Sequence, residues 1–229
     1  FRRVLFRSAM GFQRNLQPSE IAGQVRELRL LSPPIIPTNI VFMGMGEPMM
    51  NWKAVDPTLS LLNDPRALGI GARHITISTV GVLPGIVALS ERPEQFRLAI
   101  SIHAPSDELR KSLMPVNTKY PLADVIAAAA KFDRRVTFEY VMLGGVNDQP
   151  SHAAMLAQLA RECRAFVNLI PLHPGGTMGF LPSSGAVIAS FGLGVISKFL
   201  EGWAGAVLAS VCAKRALRGG PSPKITIAE

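Results

Sequence analysis

Two kinds of hydrophobic patterning alternate along this chain. Short runs rich in β-branched and aromatic residues occur at residues 39–43 (NIVFM), 74–79 (HITIST), 96–102 (FRLAISI), 135–141 (RVTFEYV) and 166–170 (FVNLI), the pattern of buried strands. Before and between them lie segments whose apolar positions recur at helical spacing. One opens at Ser19-Glu20 (SEIAGQVRELRLL), one at Ser106 (SDELRKSLM) and one at Ser151 (SHAAMLAQLARE), while an alanine-rich one, residues 122–132, follows Pro121. Serine, proline and acidic residues at these openings are helix-start signals. Strand-like and helix-like segments following one another at such spacings predict parallel strands joined by right-handed crossovers, hence an α/β barrel or open sheet.

Polar residues gather where the predicted strands end. Gly46 and Glu47 follow the first run, Ser78 and Thr79 end the second, and Ser101 and His103 close the third; Glu139 and Asn168 lie late in the fourth and fifth. Barrel enzymes assemble their sites from the C-terminal ends of several strands, so the pattern points to an enzyme site.

Single motifs say less. MGMGEP, residues 43–48, contains Gly44-x-Gly46 but lacks the third glycine of a dinucleotide fingerprint, and no acidic ribose ligand ends the next strand. A tight turn accounts for the glycines; Glu47 remains as a carboxylate at a strand end. His103 has no second His or Cys at ligand spacing, so no metal site is expected, and ligand contact and a structural role stay open for it. His74, His152 and His173 read as structural or surface residues. Cys163 reads as a small buried hydrophobe. Asp148, in GGVNDQP, reads as a turn or cap residue rather than as an acid–base partner of Glu139.

Composition narrows the classes. The hydrophobic fraction of 48% against 17% charged residues supports a packed core rather than disorder, and 229 residues suit one good-sized domain or at most two small ones. The net charge of +8 permits a polyanionic partner, although Arg2, Arg3 and Arg7 supply three of those charges and about +5 remains for the rest. Two cysteines far apart, Cys163 and Cys212, exclude a disulfide scaffold and a cysteine-rich metal motif, and suit a reducing compartment. The apolar stretch 185–211 carries Lys198 and Glu201 near its middle, where each charge would cost about 2.5–3.5 kcal/mol in a bilayer. It is therefore expected to be soluble or misread sequence rather than a membrane span.

Seven blocks taken together resemble one family. MGFQRNL (10–16), NIVFMGMGEPMMN (39–51), GARHITISTVG (71–81), LAISIHAP (98–105), LMPVN (113–117), FEYVMLGGVND (138–148) and VNLIPLHPGG (167–176) are similar, in order and spacing, to the RlmN family of radical S-adenosylmethionine RNA methyltransferases. The resemblance implies a partial (β/α)6 barrel whose first, cluster-bearing strand is missing. It implies S-adenosylmethionine as ligand, with Gly46 and Glu47 at its methionine part and Ser78, Ser101, Ile102, His103 and Asn168 along the rest. It further implies a [4Fe-4S] cluster in the complete parent, large-subunit ribosomal RNA and transfer RNA as substrates, methylation at carbon 2 of adenine, and a cytoplasmic location. Neither membrane, DNA nor oligomer is expected. In the family a methyl group is first placed on a cysteine near the C-terminus and then delivered to the base by radical chemistry.

Several features depart from that pattern. The CxxxCxxC cluster motif expected just before residue 10 is absent. Residues 1–8, FRRVLFRS, back-translate to TTC-AGA-CGT-GTG-CTC-TTC-CGA-TCT, which resembles a widely used sequencing-adapter end, so a non-native leader is expected there. Residues 9–176 form the expected core, and residues 177–229 diverge, with the RG-x-DI and CGQL segments lacking, as a frameshift near residue 190 would produce. Cys212 is the candidate methyl-accepting cysteine by position alone. The expectation is a portion of a methyltransferase, itself inactive for want of cluster ligands. The alternatives are a non-catalytic S-adenosylmethionine- or RNA-binding remnant and an ordinary barrel lyase or isomerase.

Overall fold

A computed structural model describes residues 13–44, 46–173, 179–200 and 225–227 of the chain. The elements follow in the order α1 (Pro18–Leu30), β1 (Ile40–Phe42), α2 (Trp52–Asn63), β2 (Ile75–Thr79), α3 (Leu83–Ser90), β3 (Arg97–Ser101), α4 (Asp107–Leu113), α5 (Leu122–Lys131), β4 (Val136–Met142), α6 (Pro150–Glu162), β5 (Phe166–Pro171), α7 (Gly185–Leu200) and β6 (Ile225–Ile227). All paired strands are parallel, in the order β5-β4-β3-β2-β1-β6. Each strand from β1 to β5 thus lies beside its predecessor, as right-handed crossovers in one direction require, and the sheet is the arc of a partial barrel.

Register separates the sheet into two faces of opposite chemistry. Side chains alternate along a strand, and paired residues share a face. Ile40 and Phe42, Ile75 and Ile77, Leu98 and Ile100, Val136, Phe138, Tyr140 and Met142, and Val167 and Leu169 all belong to one hydrophobic core. The helices cover that face: Ile21 and Val25 of α1, Val55 and Leu59 of α2, Ile86 of α3, Val125 and Ala129 of α5, Leu156 and Ala160 of α6, and Phe191 of α7 complete the same core. Burying a side chain such as Leu59 contributes about 1.5–3 kcal/mol. The other face carries Thr76 and Ser78 of β2, Arg97, Ala99 and Ser101 of β3, Thr137 and Glu139 of β4, and Phe166 and Asn168 of β5.

Two helices start earlier than expected, and α2, α3 and α7 were not anticipated. α1 begins one residue earlier than Ser19, because the Glu20 carboxylate accepts from the Gln17 amide at 2.7 Å and caps from within the first turn. α6 begins at Pro150 rather than Ser151, with proline in the first turn where its missing N–H costs nothing. Residues 185–200 form α7, which packs on α6 and sets Phe191 5.5 Å from Tyr140 between ring centroids. Among the described residues no helix is long and apolar enough to cross a membrane. The other edge of β1 is paired as well: Ile40, Val41 and Phe42 align with Ile225, Thr226 and Ile227.

Candidate active site

The C-terminal ends of the strands hold three linked polar groups. The first is built around Glu47, in the loop after β1. Its Oε1 accepts from the Met49 amide at 3.1 Å and its Oε2 from the Val80 amide at 2.8 Å, so the carboxylate ties the β1 loop to the β2 loop. The Thr79 hydroxyl also bonds to Glu47 and accepts in turn from the Gly81 and Val82 amides at 3.1 and 3.2 Å. Burial pushes the Glu47 carboxyl up to about 7, outweighing these donors, which favour the charged form. Such a carboxylate offers its remaining acceptor capacity to a cationic ligand group, and an incoming ammonium would draw its proton off.

Arg110 holds this loop from beneath. It lies fully buried in α4 and donates through Nη2 to the Val80 carbonyl at 2.6 Å and through Nη1 to Asn117 Oδ1 at 2.6 Å. Asn117 in turn donates to Asp107 Oδ1 at 2.6 Å, and the same oxygen accepts from the Leu122 amide at 2.8 Å at the start of α5. Burial pulls the guanidinium down to about 10, with Asp107 raising it in part. Gly81, at φ 98°, lets the loop pass: a Cβ there would meet Val125 at 3.0 Å and Arg110 Nη2 at 3.2 Å.

The second group is the row Ser101, Glu139 and Asn168, which are direct partners in the register of β3, β4 and β5. Asn168 Nδ2 donates to Glu139 Oε2 at 2.6 Å, and Glu139 is buried. Ser78 lies on β2 opposite Ala99, one step below this row on the same face.

His103 forms the third group. It stands at φ 55°, an αL conformation uncommon for a side-chain-bearing residue. Its Nδ1 accepts from the Val141 amide at 3.1 Å, which places the ring proton on Nε2. Asn147 clamps the turn: its Nδ2 donates to the His103 and Val141 carbonyls at 2.8 and 2.7 Å, and its Oδ1 accepts from the Leu143 amide at 2.7 Å. Burial, aided by the Arg110 charge, pushes the imidazole down to about 4, so it is neutral across the physiological range.

The structure therefore sorts the expected site residues. Glu47, Ser78, Ser101, His103 and Asn168 all lie at or near the strand ends, and Gly46 is exposed beside Glu47. Ile102 differs: its side chain is fully buried in the core, so only its backbone faces the strand-end region, and its amide donates to the Glu139 carbonyl at 3.0 Å. Cys212 lies outside the described residues. Cys163 is buried at the end of α6 with its Sγ 3.4 Å from the Ile126 carbonyl, and burial pushes the thiol up to about 12, as befits an inert core residue. Asp148 is a turn residue, accepting from the Gly145 amide at 3.0 Å and from the Ser183 hydroxyl at 2.8 Å. Asn147 and Arg110 carried no distinguishing pattern in the sequence; only the Asn147-Asp148 pair and the LRK context around Arg110 hinted at polar residues inside otherwise apolar surroundings.

Two groups implied by the resemblance can be weighed against these residues. The polar face fits an amino-acid ligand with a ribose, offering Glu47 as acceptor and the Ser101–Glu139–Asn168 row as mixed donors and acceptors. An iron–sulfur cluster does not fit. Among the described residues no three His, Cys, Asp or Glu side chains come together to hold a metal, and the chain has only two cysteines in all.

Comparison with known proteins agrees with this architecture. Residues 5–157 match the Radical SAM superfamily. The chain is 82% identical over 193 residues to the "Probable dual-specificity RNA methyltransferase RlmN" of Gemmatimonas aurantiaca, covering 84% of this chain and 54% of that protein. It is 41% identical over 227 residues to the "Dual-specificity RNA methyltransferase RlmN" of Anaeromyxobacter dehalogenans, covering 93% and 61%. Among solved structures, a radical SAM methyltransferase from Sphaerobacter thermophilus superposes with a TM-score of 0.76 at 41% identity, over 82% of this chain and 57% of that one. The chain thus spans little more than half the length of these relatives. It belongs to the radical SAM superfamily and, within it, to the RlmN family.

Proposed function

We propose that this chain is the barrel portion of a radical S-adenosylmethionine methyltransferase that modifies carbon 2 of adenine in large-subunit ribosomal RNA and in transfer RNA. The observation that carries this reading is the Glu47 carboxylate, held between the amides of Met49 and Val80 at the strand ends of a chain 82% identical to an RlmN relative. S-adenosylmethionine, when bound, supplies the methyl group. Glu47 takes its ammonium, Gly46 leaves room for its carboxylate beside the strand end, and Ser78, the backbone of residues 101–103 and Asn168 meet the nucleoside part.

The polypeptide itself is proposed to bind the ligand without turning it over, because the thiolates for a cluster are lacking. The same observation favours a second reading, a non-catalytic S-adenosylmethionine- or RNA-binding remnant. Residues 1–8 are proposed as a non-native leader, 9–176 as the core, and 177–229 as divergent sequence from a shifted frame, with Cys212 as candidate methyl acceptor.

Calorimetric titration of the chain with S-adenosylmethionine tests the ligand assignment: measurable binding lost in Glu47→Gln is the expected result, and equal binding by both proteins overturns it. Anaerobic reconstitution with iron and sulfide is expected to give neither cluster absorption nor S-adenosylmethionine cleavage. Genomic sequence upstream decides between the two readings, an in-frame CxxxCxxC favouring the enzyme.

A further inference from the structure

The end of the polar sheet face opposite Glu47 carries a concentration of positive charge that the site described above does not use. Arg97 opens β3, paired with Thr76. Arg135 precedes β4 by one residue, its carbonyl accepting from the Leu98 amide at 3.1 Å, so it stands level with Arg97 on the neighbouring strand. Arg73 lies in the short 3-10 turn Ala72–His74 that packs beside β3. The Arg135 guanidinium sits 4.2 Å from the ring centroid of Phe166, the first residue of β5 and on the same face.

These arginines have no acidic partner among the described residues. The carboxylates nearby are engaged elsewhere: Asp133 lies 3.1 Å from Arg134, and Asp56 and Glu94 both bind Arg92. Arg97 is partly buried, and the charges of Arg135 and Arg73 add to that burial in lowering its affinity for a proton. Like charges brought together without a counter-ion cost stability unless an anion joins them. Planar guanidinium forks match phosphate bidentately, and an arginine stacked on an aromatic ring is a platform on which an unpaired base can add.

We propose that Arg73, Arg97, Arg135 and Phe166 form a second RNA contact, holding phosphodiester backbone at the N-terminal edge of the sheet. This contact lies roughly 13 Å along β3 from Ser101, by the strand rise of about 3.3 Å per residue. The inference rests on the RNA reading above. It assigns RNA rather than an acidic polypeptide because the Arg–Phe stack offers a surface for bases that carboxylates do not use.

The test is fluorescence anisotropy of the 229-residue chain with a labelled single-stranded RNA of about 20 nucleotides, across a series of KCl concentrations. Arg97→Ala/Arg135→Ala is expected to weaken binding about tenfold or more at moderate salt. It should also reduce the slope of log affinity against log salt by about 1.4, or ~0.7 for each lost contact. Arg97→Lys/Arg135→Lys, which keeps the charge, should retain most of the affinity and slope. The single variants Arg97→Gln and Arg135→Gln, each checked by thermal melting, carry the test should the double variant not fold. Polyglutamate of matched charge should compete poorly, and inorganic phosphate only in large excess. Unchanged affinity and slope in the alanine variants, polyglutamate binding as tight as RNA, or no RNA binding by the unaltered chain would each overturn the inference. S-adenosylmethionine binding, followed in parallel, separates the two claims: RNA binding that depends on the arginines without any S-adenosylmethionine binding leaves this contact standing and removes the methyltransferase reading.

Discussion

Arg110 and Glu47 are joined through one residue: the Val80 carbonyl accepts from Arg110 Nη2 at 2.6 Å while the Val80 amide donates to Glu47 Oε2 at 2.8 Å. A buried cation on α4 thus fixes the loop that presents a hydrogen-bond donor to the carboxylate. Removing a buried charged group strands its partners, which costs more than an ordinary hydrogen bond is worth. Arg110→Met is expected to lower stability by about 3 kcal/mol or more in urea unfolding. Arg110→Lys, which keeps the charge but not the fork, should lose less. In that lysine variant a carbon-13 titration should show an altered Glu47 pKa, since the Val80 amide is no longer held; an unaltered value would mean that the loop is fixed by other contacts.

Glu47 and His103 make opposite demands on pH. A carboxyl whose folded pKa is raised from 4.5 to about 7 contributes stability that declines as pH rises through that window. An imidazole lowered from 6.5 to about 4 contributes stability present above 6.5 and lost as pH falls toward 4. The two nearly cancel between pH 4.5 and 6.5. Thermal melting across that range should therefore be flatter for the unaltered chain than for either variant. Glu47→Gln should become more stable as pH rises, and His103→Asn, which the αL backbone tolerates, less stable.

Asn147 is completely buried and satisfies three backbone groups of the β3 and β4 ends. Asn147→Ala leaves one amide and two carbonyls without partners, each costing about 1–3 kcal/mol when kept from water. A loss of about 3–5 kcal/mol in denaturant unfolding is expected. A loss below 1 kcal/mol would show that water replaces the side chain.

Cys163, with its thiol pushed up to about 12, is expected to resist iodoacetamide at pH 8 in the folded protein and to react once the chain is unfolded in urea. Peptide mass spectrometry reads both states. Labelling of the native form at the rate of a free thiol would show that α6 opens readily at its C-terminal end.

The strands were legible in the sequence because five apolar runs coincide with turn and helix signals on either side. All five appear within a residue or two of their expected limits. The helices α2 and α3 were not, and the physical reason is visible in each. α2 contains Pro57, which argues against a helix, and α3 opens with Leu-Pro-Gly after an uncapped Val82, which resembles a turn. At the site, polar side chains at strand ends announced Glu47, Ser101, Glu139 and Asn168. The donors that hold Glu47 did not announce themselves, because the amides of Met49 and Val80 belong to apolar residues. Arg110 and Asn147 act from neighbouring loops and helices, and their burial arises only when the chain folds. His103 left two roles open in the sequence; the Nδ1 bond to Val141 shows the structural one, and ligand contact is kept as a proposal.

The division of the sheet into two faces has a consequence for how this barrel tolerates change. Residues of the helix-covered core and residues of the open face alternate one by one along β2, β3, β4 and β5, so the two sets are interleaved at the scale of a single peptide unit. Point substitutions can act on one set while leaving the immediate neighbours, and the other set, intact. A one-residue insertion or deletion within a strand cannot: it would turn Ser101, Glu139 or Asn168 into the helix-covered core and carry Ile100, Phe138 or Leu169 to the open face. One-residue changes of length are accordingly expected to be tolerated in its loops and not within its strands, where only exchange of side chains preserves both faces.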